Sequence, residues 1–244
     1  MNNDVLYYSL LIGFTILAIF KNSVSLSPIR FHCDNYVLNT YLYFILSWGV
    51  ILATTTTLKN LDVKLNDLFS GPFTILLALS SICLLVGLLF IPPKLFFTKH
   101  FLYIAEMILL GITIYPYFVN NKSLFYHVAI TTLAILVLLS LITYSVPNLV
   151  KDSWFIYLFI SLIALFIARI TELVITYRNK KRPKFSRWVS YISILVFSLF
   201  IMYDTKKVLV NADKCVNPDY INESINLVLD SLNLFSSLYD VNRE

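Results

Sequence analysis

Residues 196–207 read Val196-Phe197-Ser198-Leu199-Phe200-Ile201-Met202-Tyr203-Asp204-Thr205-Lys206-Lys207, an apolar run that closes on a single acid. Further along, Leu229-Asp230-Ser231-Leu232-Asn233-Leu234-Phe235 sets a second acid among apolar neighbours. These are the last two of a series of apolar stretches at 5–20, 38–58, 72–92, 101–119, 124–146, 154–177, 186–203 and 220–239. Most have the roughly 20 residues needed to cross a hydrocarbon core. Lipid offers no partner to an unpaired backbone N–H or C=O, so each stretch is expected to be a helix.

Composition agrees. Of 244 residues, 58% are hydrophobic and 14% charged, and the mean hydropathy is +0.76. The hydrophobic share is about 142 residues, close to seven spans of roughly 20 residues each. That balance excludes a secreted disulfide scaffold, a disordered tail and a soluble enzyme on a membrane anchor. It also makes the net charge of +5 a property of the connectors rather than of a nucleic-acid-binding face. The expected fold is an all-α integral membrane protein. Residues 38–244 form a seven-helix transmembrane domain, and residues 1–37 supply an N-terminal hydrophobic segment and a polar linker.

Val5 to Phe20 lacks a basic leader and a small-residue cleavage site, so an extra N-terminal helix fits it better than a signal peptide. Cys33, Cys83 and Cys215 are odd in number and far apart, from which neither a disulfide framework nor a metal cluster follows. His32, His100 and His127 have no metal-ligand spacing, and no Gly-x-Ser-x-Gly elbow occurs. No enzyme and no cofactor are expected. The sequons at Asn121 and Asn222 lie against helix ends and are expected to stay unmodified.

Asn217-Pro218-Asp219 reads as a helix start, with Asn217 as the cap and Pro218 at the first helical position. In the helix that follows, Glu223, Asp230 and Ser237 recur every seven residues, with Asn226, Asn233 and Asp240 offset by three. This spacing draws a polar stripe along one face. Two readings stay open: an amphipathic helix on the membrane surface, or a span whose stripe faces the bundle interior.

A charge at mid-bilayer costs at least about 2.5–3.5 kcal/mol, so acids and bases inside apolar stretches carry information. The candidates are Glu106, Arg169, Glu172, Asp204 and Asp230. Asp204 alone reads as a residue at a helix mouth, solvated beside Lys206 and Lys207. With Asp230 on the next helix, the two carboxylates can meet inside a bundle. In low dielectric they cannot both stay ionised, so the pair shares a proton. Such a dyad is a pH-responsive latch. Arg169 and Glu172, three apart, suit an intrahelical ion pair, with a counter-ion role toward the two aspartates as the alternative. Glu106 is either a further intramembrane acid or a carboxylate paired to a hydroxyl or a base.

At these residues the chain resembles the transmembrane Bax inhibitor-motif (Bax inhibitor/Lifeguard) family. Phe197 to Thr205 is similar to the family's penultimate-helix motif ending in Tyr-Asp-Thr. Leu229 to Phe235 is similar to its last-helix motif of Leu-Asp, two residues, then Asn-Leu-Phe. Gly111-Ile112-Thr113-Ile114-Tyr115-Pro116 resembles the Gly-x-(Ser/Thr)-x-x-Pro stretch of its third helix. The resemblance covers roughly residues 38–240. It implies a seven-helix bundle wrapped about a central last helix and a pH-sensitive Ca²⁺ leak from an intracellular membrane that inhibits apoptosis. The endoplasmic reticulum or Golgi would be the site in a eukaryote or virus, the plasma membrane in a bacterium. It also implies gating, proton sharing and transient Ca²⁺ coordination by Asp204 and Asp230. Glu106, Arg169, Glu172, Glu223, Asn226 and Asn233 are the supporting candidates. The partners implied are the lipid bilayer, Ca²⁺ and H⁺, and other membrane regulators of apoptosis. A non-conducting scaffold acting through protein partners and a proton-coupled transporter are the alternatives. One departure stands out: some members carry an acid in the second helix, whereas Phe73 to Phe90 has none.

Arg178, Lys180, Lys181, Arg182, Lys184 and Arg187 form the most basic connector, which the positive-inside rule assigns to the cytosol. The resemblance implies the opposite side for it, with the Tyr-Asp-Thr mouth cytosolic. Basic residues elsewhere do not decide. Lys21, Arg30, Lys94, Lys99, Lys151, Lys206, Lys207 and Lys214 fall on the Asp204 side, whereas Lys59, Lys64, Lys122, Arg243 and the cluster fall on the other. A solvated loop or a site for anionic head groups would each suit the cluster.

Overall fold

Each apolar stretch is a helix, as the need to satisfy backbone hydrogen bonds in lipid requires. The computed structural model describes residues 3–26, 29–69, 71–179, 183 and 185–243; Pro28 and the connector's Lys180, Lys181, Arg182 and Lys184 lie outside the described residues. The order is α1 (Asn3–Ser23), β1 (Val24–Leu26), β2 (Ile29–Phe31), α2 (Tyr36–Asn60), α3 (Leu65–Leu68), α4 (Gly71–Phe90) and α5 (Phe96–Asn120). Then come α6 (Lys122–Ser145), a 3-10 turn (Pro147–Leu149), α7 (Trp154–Asn179), α8 (Ser186–Asp213) and α9 (Tyr220–Asn242).

By length and composition, α1, α2, α4, α5, α6, α7 and α8 are each able to cross a membrane. The protein is thus a multi-pass, all-α membrane bundle. α9 falls outside that set because its acids and amides lower its hydropathy. It is nonetheless buried around most of its circumference, through Ile221, Ile225, Val228, Leu232 and Phe235 and through Ser224, Asp230, Ser231, Ser237 and Asp240. A helix lying on the membrane surface would expose its polar stripe, so the surface reading fails.

The chain forms two compact units. One comprises Met1–Asn121 with Asn211–Val228, the other Lys122–Val210 with Leu229–Glu244. In the first, α1 packs on α2, α2 on α5, and α4 on α5. The α1–α2 approach is close at Gly49, where a Cβ would lie 3.1 Å from Ile12 Cγ1. The α2–α5 approach is closer at Gly111, where a Cβ would come within 2.7 Å of Thr54 Cβ and 3.0 Å of the Ile51 carbonyl oxygen. Small residues at such crossings let helix backbones approach, which is the main packing device available in lipid. Gly111 opens the stretch that resembles the family's third-helix motif, and this contact is the physical reason for a glycine there. The second unit contains α6, α7, most of α8 and the end of α9, with Phe125 of α6 edge-on to Phe235 of α9 at 5.1 Å between ring centroids.

Three expectations change. The polar linker holds a β-hairpin, with Val24 opposite Phe31 and Ser25 opposite Arg30. Cys33 and Cys215 form a disulfide, with their Cα atoms 5.9 Å apart across 182 residues of sequence. Distance along the chain says nothing of distance in space, and the odd count reflects Cys83, which is exposed on the apolar helix α4. Finally, α8 runs on to Asp213, so Asp204 lies inside a helix rather than at its mouth. Hydropathy marks the edge of the hydrocarbon, not the end of the helix. Beyond Asp204, Lys206 extends its ammonium to the Val150 carbonyl oxygen at 2.7 Å and to Asp152 Oδ1 at 2.6 Å, so the helix continues with its charge satisfied.

Two outcomes follow. Gly111→Ala is expected to cost about 1–3 kcal/mol through overpacking, read as a lower thermal midpoint of the purified protein; an unchanged midpoint contradicts the crossing described. Cys33→Ser with Cys215→Ser is expected to cost about 2–5 kcal/mol and to abolish the mobility difference between reducing and non-reducing gels. Wild-type protein showing no such difference would rule out the bond.

Candidate functional site

The acids of the last helix and its cap define the site, because each must be met by something. Asp219 caps α9: its Oδ1 accepts the Asn222 N–H at 3.2 Å, and the helix proper starts at Tyr220. The expected cap, Asn217, lies upstream, because a cap side chain must reach the N–H two or three residues on and Asp219 is the residue so placed. The carboxylate of Asp219 also pairs with Lys99 of α5. Lys99 is fully buried and gives a second hydrogen bond to the Ile91 carbonyl oxygen at 2.8 Å. Sequence reasoning counted Lys99 as a connector charge and missed this pair. Lys99 precedes the apolar stretch 101–119, and no signal in the sequence placed it inside the helix that starts at Phe96.

Glu223 accepts a hydrogen bond from Asn211 Nδ2 at 2.6 Å. Asp240 meets Arg169 Nη1 at 3.4 Å and Arg243 Nη2 at 3.1 Å. Arg169 of α7 also holds Glu172 Oε2 at 2.9 Å, Ser190 Oγ of α8 at 3.2 Å and Ser237 Oγ of α9 at 3.4 Å. The Ser186 hydroxyl closes the network on Glu172 Oε1. The intrahelical pair is therefore present and reaches further than its own helix. Its α9 partner is Asp240, ten residues or about 15 Å of helix from Asp230, so Arg169 is not the counter-ion of the Asp204–Asp230 pair.

Asp230 differs from the others. The side chain it meets is that of another acid, Asp204 of α8, in a hydrogen-bonding contact. Asp230 is 8% exposed, and its Oδ2 is buried without a hydrogen-bond partner. Two carboxyl groups can hydrogen-bond only if one carries a proton, since an ionised carboxylate is an acceptor alone. The residues flanking Asp204 hold it in place: the Tyr203 ring lies 6.0 Å from that of Phe155 on α7, and the Thr205 hydroxyl is 3.2 Å from Ser140 of α6. Tyr-Asp-Thr is thus an acid flanked by two residues that anchor its helix to two neighbours. Of the supporting candidates on α9, Asn233 is exposed and its amide returns to the Leu229 carbonyl oxygen of its own helix at 2.8 Å. Asn226 is half-buried.

Glu106 lies in the first unit, wholly buried on α5. Its Oε1 accepts the Ser81 hydroxyl of α4 at 2.7 Å, while Oε2 has no partner. It is a carboxylate paired to a hydroxyl, and it brings an acid against the helix that has none of its own. Nearby on α5, His100 Nε2 is 2.7 Å from the Tyr43 hydroxyl, and the Tyr103 hydroxyl donates to the Tyr43 carbonyl oxygen at 2.7 Å. These links fasten α5 to α2 and were not foreseen, because single tyrosines in apolar runs look like ordinary core.

Removing Arg169 leaves Glu172 and Asp240 buried beside an emptied cation site. Arg169→Met is expected to lower stability toward the lower end of about 3–5 kcal/mol, since the guanidinium is partly exposed, and Glu172→Gln with Asp240→Asn in the same chain is expected to restore much of it. Stability unaffected by Arg169→Met would contradict the network.

A family model described as "Inhibitor of apoptosis-promoting Bax1" matches residues 33–241. No curated protein matches the chain. The match runs from Cys33 through nearly all of α9 and includes Asp204 and Asp230, leaving α1 and the hairpin outside it. A multi-pass helical bundle with this match over most of its length belongs to the Bax inhibitor-1 family, whose members are membrane inhibitors of apoptosis.

Proposed function

We propose that the protein is a pH-regulated Ca²⁺ leak of an intracellular membrane, rather than an enzyme, and that it restrains apoptosis by lowering the Ca²⁺ held in that compartment. One observation carries this reading. Of the α9 acids described above, Asp219, Glu223 and Asp240 are met by a cation or an amide, whereas Asp230 is met by Asp204. An evolved structural pair would set a base opposite the acid; an acid opposite an acid leaves a place for a proton or a cation. With one proton shared, the pair is neutral enough to hold α8 and α9 together. When that proton leaves, two negative charges remain, which separate or take up a cation.

Ca²⁺ suits the position as cargo. It prefers six to eight hard oxygen ligands, and two carboxylates supply at most four. The ion would keep part of its water shell and leave again, as passage requires. The endoplasmic reticulum or Golgi is the membrane in which such a leak would act on apoptosis in a eukaryotic or virus-infected cell, and other membrane regulators of apoptosis would be its partners.

A second reading, a non-conducting scaffold that protects through partner binding, draws on the lack of any acid in α4 between Phe73 and Phe90. Ca²⁺ flux into proteoliposomes of purified protein at two pH values separates the two. The leak reading expects flux that changes with pH in the wild type and loses that change in both Asp204→Asn and Asp230→Asn. Wild-type-like flux in both variants rejects the gating role, and no flux from any of them favours the scaffold.

A further inference from the structure

Where the β-hairpin and the connectors before α5 and α9 converge, the surface of the first unit has a half-open cavity of about 280 Å³, with Arg30 and Lys94 exposed at it. Its walls come from three separate segments: Arg30, His32 and Cys33 after the hairpin turn, Pro93 and Lys94 before α5, and residues 216–218 before α9. The Cys33–Cys215 bond ties the first of these segments to the third. Among the described residues no carboxylate lines the cavity. The nearby acid Asp34 lies 3.3 Å from His32 with its side chain mostly exposed, and among the described residues neither Arg30 nor Lys94 has an ion-pair partner.

We propose that this cavity is a binding site for a phosphate-bearing anion, and specifically for the head group of an anionic phospholipid, held by Arg30 and Lys94. A lysine that merely snorkels at a helix end needs no concave wall, and it does not need an arginine from a distant segment on the same wall. The cavity also lies where a lipid phosphate would be. It opens at the start of α5, and from Lys94 the chain passes at once to Leu95, Phe97 and Phe101, which are 54%, 73% and 73% exposed. Phe97 and Phe101 are one helical turn apart on one face. A phosphate seated between the two cations would therefore let acyl chains run down this apolar face into the membrane. A guanidinium offers phosphate two parallel donors and an ammonium adds a point charge, a pairing suited to a phosphodiester. The site is independent of the Asp204–Asp230 pair and of the leak reading.

Native mass spectrometry of the detergent-solubilised full chain tests it, with dioleoylphosphatidylglycerol and dioleoylphosphatidylcholine as probes. Wild type is expected to retain phosphatidylglycerol in preference to phosphatidylcholine. Arg30→Gln with Lys94→Gln is expected to weaken that retention at least tenfold while leaving phosphatidylcholine unchanged. Lys59→Gln with Lys64→Gln removes the same charge without touching the cavity and is expected to retain phosphatidylglycerol as wild type does. Equal loss in both double variants, or no loss in the first, overturns the site. Inorganic phosphate at millimolar concentration distinguishes the source: bound lipid that resists it marks a lipid head group, whereas displacement through the same two cations marks soluble phosphate as the ligand and overturns the lipid assignment.

Discussion

A carboxylate taken out of water must be met by a cation, a donor or a proton, and α9 is organised by that constraint. The helix is buried on most sides and yet carries or adjoins acids at 219, 223, 230 and 240. Lys99 and Asn211 answer Asp219 and Glu223 within the first unit, and Arg169 answers Asp240 within the second. The fourth, Asp230, is met by another acid, Asp204, and a proton shared between them is what the proposed function requires. Asp230 thus differs from the other acids in partner rather than in depth, since Asp230 and Asp240 are equally buried at 8% exposure.

A disulfide persists where the medium is oxidising. Cys215 follows α8, whereas the basic connector around Arg178 and Arg187 precedes it, so a single crossing by α8 separates the two. An oxidising medium around the bond and the positive-inside rule for this cluster would both be met with the basic connector in the cytosol. Both oppose the orientation that the family resemblance implies, in which the mouth beyond Asp204 is cytosolic. A disulfide on a cytosolic face would require its own oxidant.

The helices were legible in the sequence because they depend on local composition. Runs of apolar residues specify spans, and an acid inside such a run is conspicuous wherever it falls. What was not legible depends on long-range geometry or on polar residues that behave unlike their neighbours. Cys33 and Cys215 are remote in the chain; Lys99 resembles any lysine near a helix end until Asp219 is found beside it. α8 was ended too soon because its last turns are polar, although Lys206 shows that polar residues continue a helix when they reach partners. The cap was placed two residues early because Asn217 and Asp219 are both good caps, and only geometry chooses between them. Gly111 was recognised by resemblance, and its reason, the contact with Thr54 and Ile51, required the packed helices.

The central claim is that Asp204 and Asp230 hold one proton between them. Infrared difference spectroscopy of the purified protein in lipid, following the C=O stretch of protonated carboxyl groups as pH is raised, measures this directly. The account predicts a band that disappears on titration in the wild type and is altered by Asp204→Asn and by Asp230→Asn alike, because the proton belongs to the pair. A wild-type spectrum whose titrating bands are the same in both variants would contradict it.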